Sequence, residues 1–223
     1  MGTGRKTWPG ELFHWLGSFL FPDACLRCGR AADRFPLCPV CRSEATARPA
    51  LAPDLPVGLA SLHAGLELSE PVRALVHGLK YQGERRNATA LVELAVAAHG
   101  LPALPADALL VPVPVHSTRR RERGYNQALL LAREWSKRTG LPVCDGLDRV
   151  RSTGTQTHLD AQARRANLES ALRVNKAFVR ERPLVLVDDI CTTGSTLGSC
   201  AAVLLRAGTP EVHGLACAWA PGK

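Results

Sequence analysis

The chain has 223 residues, of which 46% are hydrophobic and 22% are charged, and its mean hydropathy is −0.03. These values exclude a disordered chain, a collagen-like chain and a polytopic membrane protein, and they suit one α/β domain with a small module or two small domains. The formal net charge is +8, and 23 of the 28 basic residues are Arg. Because the planar guanidinium of Arg binds phosphate oxygens in pairs, a phosphorylated ligand is the first hypothesis, and a solvated basic surface is the alternative.

The N-terminal segment carries Arg5 and Lys6 before an apolar stretch, which is the order found in a short signal peptide. Pro22 and Asp23 disrupt both a secretory and a lipoprotein-type cleavage site, and no apolar stretch reaches the ~18 residues of a membrane span. Five apolar residues instead share one face of a predicted short helix, namely Leu12, Trp15, Leu16, Phe19 and Leu20. We therefore predict a cytoplasmic protein without a membrane span.

Four of the eight cysteines lie between residues 25 and 41. Cys25, Cys28, Cys38 and Cys41 form two C-x-x-C pairs, a spacing that supplies four thiolates to one tetrahedral zinc ion. Gly29 directly after Cys28 suits the tight turn of such a pair. The alternative is four reduced thiols without a metal. The remaining cysteines are predicted to be small apolar core residues, namely Cys144, Cys191, Cys200 and Cys217.

Three regions are predicted along the chain: residues 1–46 carry the helix and zinc-binding module, 47–56 are a Pro-rich linker, and 57–223 alternate strands and helices. Helices are expected to start at Ser69, to cover 87–98, to end at Gly140 and to cover 197–207. Strands are expected within 109–115, 184–187 and 212–218. This alternation predicts a doubly wound, mostly parallel sheet.

The stretch after the strand at 109–115 is strongly basic. Residues 119–123 read RRRER, so four of the five are Arg. A loop of this composition after a strand end suits pyrophosphate, whose many oxygens can pair with several guanidinium groups. The alternative is a solvated basic loop that caps the next helix.

Residues 184–196 read LVLVDDICTTGST and contain the most informative motif. The apolar residues predict a buried strand, which would present Asp188 and Asp189 exposed at its carboxyl end, where open α/β sheets bind ligands. Small residues and Gly194 then open a helix whose free N–H groups would hold a phosphate. The motif therefore suits a sugar phosphate. A simple strand–turn–helix with a capping hydroxyl explains the turn but not two exposed acids.

The stretch 184–196 resembles the phosphoribosyl pyrophosphate (PRPP) loop of type I phosphoribosyltransferases. Residues 121–127, RERGYNQ, are similar to the R-x-R-G-[FY]-N-Q signature of the ComF family of competence-associated proteins. The resemblance to that family extends over nearly the whole chain. It includes Lys80-Tyr81, which matches an LKY motif, and a stretch where such transferases place a mobile loop, with Arg151, Thr155, Gln156, Leu159, Arg164, Arg165 and Asn167.

The resemblance implies a sheet of the type I phosphoribosyltransferase kind with an N-terminal zinc finger. Asp188 and Asp189 would hold the ribose hydroxyls, and Arg119, Arg121 and Arg123 would stabilise the departing pyrophosphate. Magnesium would bind mainly oxygens of PRPP rather than a protein cage. The implied substrate-binding residues are Ile190, Cys191, Thr192, Thr193, Gly194, Ser195, Thr196, Arg151 and Lys80.

Two functions are compatible with these residues. The first is magnesium-dependent transfer of ribosyl 5-phosphate from PRPP to an unknown acceptor. The second is a competence factor that senses PRPP or binds single-stranded DNA or DNA-uptake proteins, with affinity supplied mainly by phosphate contacts. Replacing Asp188 and Asp189 by Asn should abolish PRPP binding and leave the fold intact, with thermal stability little changed or raised.

Overall fold

The structure, a computed structural model, describes residues 24–47, 55–151 and 166–220. Its strands are β1 (Ser61–Glu67), β2 (Leu109–Pro112), β3 (Leu147–Arg149), β4 (Leu172–Val174), β5 (Leu184–Cys191) and β6 (Val212–Trp219). Its helices include α1 (Pro39–Thr46), α2 (Glu70–Tyr81), α3 (Asn87–His99), α4 (Ser117–Arg123), α5 (Gln127–Thr139) and α6 (Ser195–Arg206). The predicted N-terminal helix and most of the predicted linker lie outside the described residues.

A four-stranded sheet in the order β1-β6-β5-β2 lies at the centre of the described residues. Each neighbouring pair of strands is parallel, and Leu184 of β5 lies opposite both Leu109 of β2 and Val212 of β6. β3 and β4 form a separate antiparallel pair. The mostly parallel sheet is the one that the alternation of strands and helices predicts.

Helices cover both faces of the sheet. Successive side chains of a strand point to opposite faces, so Val185 and Val187 lie in one core with α2, α3 and α5. Leu184 and Leu186 lie in a second core with α6. Burial on both sides explains the continuous apolar sequence of β5, and it confirms the doubly wound fold.

The boundaries of α2 and α5 follow the apolar pattern. Val72, Leu75, Val76 and Leu79 of α2 are buried, as their helical spacing predicts. α5 ends at Gly140, whose φ of 77° lies in the left-handed region that a residue without a Cβ atom adopts readily. α6 and β6 also cover the stretches predicted for them.

Two predictions of local structure are wrong. Residues 119–123 belong to α4 rather than to a loop, and Nδ1 of His116 caps this helix by accepting a hydrogen bond from the Thr118 N–H at 3.3 Å. β5 continues to Cys191 rather than ending near Val187, because β6 stays paired with it as far as Trp219. The sequence pattern also missed β1, whose residues are mostly half-buried and do not alternate.

The N-terminal module packs directly on the α/β domain. Cys41 and Ala45 of α1 are buried in the same core as Leu79 of α2. The predicted division of the chain at 47–56 stays a prediction. In the part of the chain that the structure describes, no helix is both long enough and apolar enough to cross a bilayer.

Candidate ligand-binding site and metal centre

The turn between β5 and α6 contains Thr192, Thr193 and Gly194. Gly194 has a φ of 69°, and a Cβ atom there would lie only 2.2 Å from Cγ of Pro56. Both the left-handed backbone and this close contact therefore require glycine. The tight turn brings the first residues of α6 directly behind the carboxyl end of β5.

This turn presents hydrogen-bond donors at the N-terminus of α6. Thr192, Thr193 and Ser195 are exposed, and Thr196 is half-buried. The Ser195 N–H lies 3.4 Å from Oγ1 of Thr193, a long contact that a stronger acceptor can replace. The hydroxyls, the N–H groups and the helix dipole together suit a phosphate group.

Ile190 and Cys191 precede the turn and contact the protein interior. Ile190 packs against the core that contains α2, and Cys191 is buried in the core that contains α6. Burial and the negative charge of Asp188 raise the pKa of the Cys191 thiol to about 11, so it is neutral at physiological pH. Both residues also pair with β6, and the Cys191 carbonyl oxygen accepts a hydrogen bond from the Ala220 N–H at 2.9 Å, so they support the turn rather than face a ligand.

Asp188 and Asp189 have different surroundings within β5. Asp189 is 3% exposed, and its Oδ1 atom lies 2.9 Å from Nζ of Lys80 near the end of α2. Asp188 is half-buried. The prediction that both carboxylates are exposed is therefore wrong, because β5 continues past them and Lys80 covers Asp189.

The second oxygen of Asp189 marks a place for a ligand or a water molecule. Among the described residues, Oδ2 is buried and has no hydrogen-bond partner. A buried acceptor without a partner costs free energy, so a donor is expected next to this atom. A hydroxyl group of a bound sugar has the required chemistry.

The carboxyl group of Asp188 is poised between its two protonation states. Burial and the negative charge of Asp189 raise the pKa of Asp188 to about 7. A hydrogen bond of 2.8 Å from the Asp189 N–H and the positive charge of Lys80 oppose this rise without cancelling it. Either state can bind a sugar, because hydroxyl groups both donate and accept hydrogen bonds.

A basic cavity of about 420 Å³ opens beside Lys80. Arg119 and Arg123 are one helical turn apart on α4 and share a face, and Nη1 of Arg123 donates to Oε1 of Gln127 at 2.9 Å. Three cations and one carboxylate suit an anion with several oxygens. The residues that line the basic cavity are Lys80, Tyr81, Gly83, Arg119, Glu122, Arg123 and Tyr125.

The other Arg residues of α4 are directed elsewhere. Arg121 lies two residues from both Arg119 and Arg123, and helical residues at that spacing do not share a face. It lines neither the basic cavity nor a second cavity of about 360 Å³. The structure thus brings two of the three predicted pyrophosphate ligands together with Lys80. Charged residues that line the second cavity are Arg120, Asp145, Asp148 and Arg149.

Arg149 and Arg151 lie at the start of the stretch that resembles a mobile loop. Burial and the nearby positive charge of Arg119 lower the pKa of Arg149, so these two guanidinium groups are close. Arg151 is exposed, donates to Oγ of Ser170 and does not line the basic cavity. The predicted loop residues Thr155, Gln156, Leu159, Arg164 and Arg165 lie outside the described residues.

Sequence reasoning assigned no role to Tyr125 or Arg149, although both lie at the site. Tyr125 lies in the RERGYNQ motif, so the resemblance carried a signal for it. Arg149 ends the three-residue strand β3, and a single Arg in so short an element has no distinguishing pattern.

The four N-terminal cysteines form a cluster whose dimensions suit a metal ion. Their sulfur atoms all lie within 4.8 Å of one another, and Sγ of Cys28 is 3.7 Å from Sγ of both Cys38 and Cys41. Tetrahedral zinc with Zn–S bonds of about 2.3 Å separates its sulfur ligands by about 3.8 Å. Gly29 has a φ of 72°, which confirms the tight turn expected after Cys28. The cluster could hold a metal such as zinc.

The surroundings of the cluster lower the pKa of Cys25, whereas burial raises the pKa of Cys41 to about 12. Burial alone would raise the pKa of Cys25, but backbone N–H groups of Cys38, Cys28 and Arg27 lower it to about 6. Nη1 of Arg27 lies 3.8 Å from Sγ of Cys41 and 3.0 Å from Oε2 of Glu44. Such a second layer of contacts orients metal ligands and offsets their negative charge.

Comparisons with known proteins connect this chain to proteins of DNA use and competence. No protein-family model matches the chain. The DNA utilization protein YhgH of Salmonella typhi is 34% identical over 219 residues, which cover 92% of this chain and 91% of that protein. Competence protein F of Haemophilus influenzae is 36% identical over 151 residues, which cover 65% of this chain and 66% of that protein. Competence protein ComFC of Bacillus subtilis is 30% identical over 100 residues, which cover 45% of this chain and 39% of that protein.

A solved structure of the allosteric regulatory enzyme of purine biosynthesis matches with a TM-score of 0.37 and 21% identity, over 64% of this chain and 26% of that chain. By its fold the protein has a doubly wound parallel sheet, in which the acidic end of β5 leads through a tight turn into α6. The length and identity of the match to YhgH place the chain more narrowly. It belongs to the family of DNA utilization protein YhgH and the ComF competence proteins, which confirms the resemblance seen in the sequence.

Proposed function

We propose that this protein binds PRPP and transfers its ribosyl 5-phosphate to an acceptor, with release of pyrophosphate. The observation that carries the proposal is the ion pair between Lys80 and Asp189. Lys80 also lines the basic cavity. The pair therefore joins that cavity to the carboxyl end of β5, which is followed by the turn of Thr192, Thr193 and Gly194. A sugar with a phosphate at one end and a pyrophosphate at the other matches this order of groups.

Each part of PRPP has a partner of suitable chemistry along this line. The 5-phosphate would bind the exposed donors of Thr192–Thr196 at the start of α6. The ribose hydroxyls would contact Asp188 and the unpartnered Oδ2 of Asp189. The pyrophosphate would lie in the basic cavity against Arg119, Arg123 and Lys80.

The same cations favour bond breaking. When the bond between C1 of the ribose and the pyrophosphate oxygen breaks, negative charge grows on the leaving pyrophosphate. Arg119, Arg123 and Lys80 would stabilise that charge in place. Asp188 and Asp189 offer few ligands for a magnesium ion held by the protein alone, since Asp189 is paired with Lys80. Magnesium bound to the pyrophosphate oxygens would supply further charge neutralisation.

The proposal is tested by calorimetric titration of the zinc-loaded protein with PRPP, with and without magnesium. We expect saturable binding that needs magnesium and that weakens at least tenfold in Arg119→Gln and Arg123→Gln. Arg73→Gln is the matched control. It removes the same charge at the start of α2, far along the helix from Lys80, where Arg73 pairs with Glu70. If wild-type protein does not bind PRPP with magnesium present, the proposal is wrong.

A second candidate function is binding of single-stranded DNA, alone or with DNA-uptake proteins. The net charge of +8, the exposed Arg119, Arg120 and Arg121, and the DNA-related names of the relatives favour it. Binding through phosphates should show little sequence preference and should weaken steeply as salt rises. Affinity for DNA that is independent of salt, or no binding even at low salt, would contradict this second candidate function. A cytoplasmic location stays a prediction from the sequence.

A further inference from the structure

We propose that single-stranded DNA binds across the basic cavity with one base stacked on Tyr81, and that PRPP and DNA therefore exclude each other. The inference rests on the proposed function, because it assigns a partner and a mode of regulation to the same cavity. It adds a base-stacking residue and a competition to the general expectation of nucleic-acid binding.

Tyr81 has the exposure and the position that a stacking residue needs. Its exposed fraction is 67%, and it is the one exposed ring among the Phe, Trp and Tyr side chains that the structure describes. It directly follows Lys80 at the end of α2 and lines the basic cavity. Stacking of bases on aromatic side chains beside a cationic groove is the general mode by which proteins bind single strands.

The surroundings of Tyr81 hold its ring in place without covering it. The ring centroid is 5.0 Å from that of His77, and the Arg123 guanidinium lies 5.2 Å from the ring centre. Gly83, in the turn that follows, has a φ of 72° and open space where a side chain would be. Because Tyr81 is largely exposed, a planar base can approach the face of the ring that lies away from Arg123.

Tyr125, the other tyrosine that lines the cavity, is held more firmly than Tyr81. Tyr125 is 8% exposed, its hydroxyl donates to the Leu79 carbonyl oxygen, and the Arg85 guanidinium lies 4.9 Å from its ring centre. Tyr125 is therefore held in place within the cavity lining, whereas the exposed Tyr81 can contact a ligand. The two tyrosines have different roles.

Competition follows from the small number of cations in the cavity. Lys80, Arg119 and Arg123 would neutralise either the pyrophosphate of PRPP or successive phosphates of a DNA strand, but not both together. Because coupling between two ligands is reciprocal, PRPP must weaken DNA binding by the same factor by which DNA weakens PRPP binding. PRPP carries no base, so the ring of Tyr81 should contribute more to DNA binding than to PRPP binding.

The test is fluorescence anisotropy of a labelled oligothymidylate titrated with the zinc-loaded, full-length protein at constant salt and constant free magnesium. Addition of PRPP should raise the apparent Kd of the oligonucleotide in proportion to the PRPP concentration, and inorganic pyrophosphate should do the same. Tyr81→Ala should weaken oligonucleotide binding about five- to a hundredfold, the range expected for loss of one stacked base.

Two controls separate stacking from general damage. Tyr81→Phe keeps the ring and should bind the oligonucleotide like wild type, and Tyr81→Ala should lower the affinity for the oligonucleotide by a larger factor than the affinity for PRPP measured by calorimetry. Oligonucleotide affinity that is unchanged in Tyr81→Ala, or unchanged by saturating PRPP, would overturn the inference. If calorimetry shows no PRPP binding, the proposed function fails; the competition is then decided by pyrophosphate, whose failure to displace the oligonucleotide would overturn the inference separately.

Discussion

Nζ of Lys80 lies 2.9 Å from Oδ1 of Asp189, and this ion pair links the last turn of α2 to the carboxyl half of β5. The Lys80 side chain is 19% exposed and that of Asp189 is 5% exposed, so water screens the pair poorly. Loss of one partner would leave a buried charge without compensation. The pair therefore supports the fold and also positions a cation in the basic cavity.

We expect Lys80→Met and Asp189→Asn each to lower the free energy of unfolding by about 3–5 kcal/mol, the range for breaking a buried ion pair. The double variant should lose clearly less than the sum of the two, because neither charge is then left alone. Urea denaturation measures all four proteins. The exposed pair Arg138–Glu93, at 2.8 Å, is the control, and its coupling should stay below about 1 kcal/mol. Additive losses for Lys80 and Asp189 would contradict the role of the pair.

The ion pair between Lys80 and Asp189 revises the expectation that Asn at both acids leaves stability little changed or raised. Asp188→Asn is the suitable variant for ligand binding, because it removes a half-buried carboxyl group without breaking the Lys80–Asp189 pair. Asp189→Asn would mix loss of binding with loss of stability.

Stability should depend on the pH in a way that traces to Asp188. Its pKa is raised from 3.8 to about 7 in the folded state, so the folded protein binds a proton that the unfolded chain releases in this range. The stabilisation by that proton is complete below pH 3.8 and is lost as the pH rises through about 7. Asp188→Asn should therefore melt higher than wild type at pH 8, and this difference should shrink at pH 5. A difference that is the same at both pH values, in thermal denaturation of the two proteins, would contradict this.

The four-cysteine cluster should hold about one zinc per chain after purification without added metal. Cys28→Ser should lower the zinc content and the melting temperature, because α1 packs in the same core as α2. Cys144→Ser is the matched control, since that buried thiol lies outside the cluster and should leave the zinc content unchanged. Elemental analysis measures the content. No zinc, together with four freely titratable thiols in the folded protein, would refute the prediction.

Local pattern was enough for elements whose apolar residues repeat regularly. The spacing of Val72, Leu75 and Leu79 predicts the buried face of α2 because a helix repeats every 3.6 residues whatever it packs against. The burial of Asp189 could not be predicted in this way, since it depends on Lys80, which is distant in sequence and meets it only in the folded chain.

The roles of the Arg residues in α4 were within reach of the sequence, but the wrong local structure hid them. In a loop, Arg119, Arg121 and Arg123 can all turn to one ligand. In a helix, only the pair four residues apart shares a face, and the structure directs that pair into the basic cavity. The resemblance to the ComF family gave the motif, and the tertiary structure gave the direction of each side chain.

The most direct test of the central claim is a crystal structure of the protein bound to PRPP and magnesium. We expect the 5-phosphate within hydrogen-bond distance of the Ser195 and Thr196 N–H groups, a ribose hydroxyl on Asp188, and the pyrophosphate against Arg119 and Arg123. A structure with PRPP bound away from the β5–α6 turn would contradict the account.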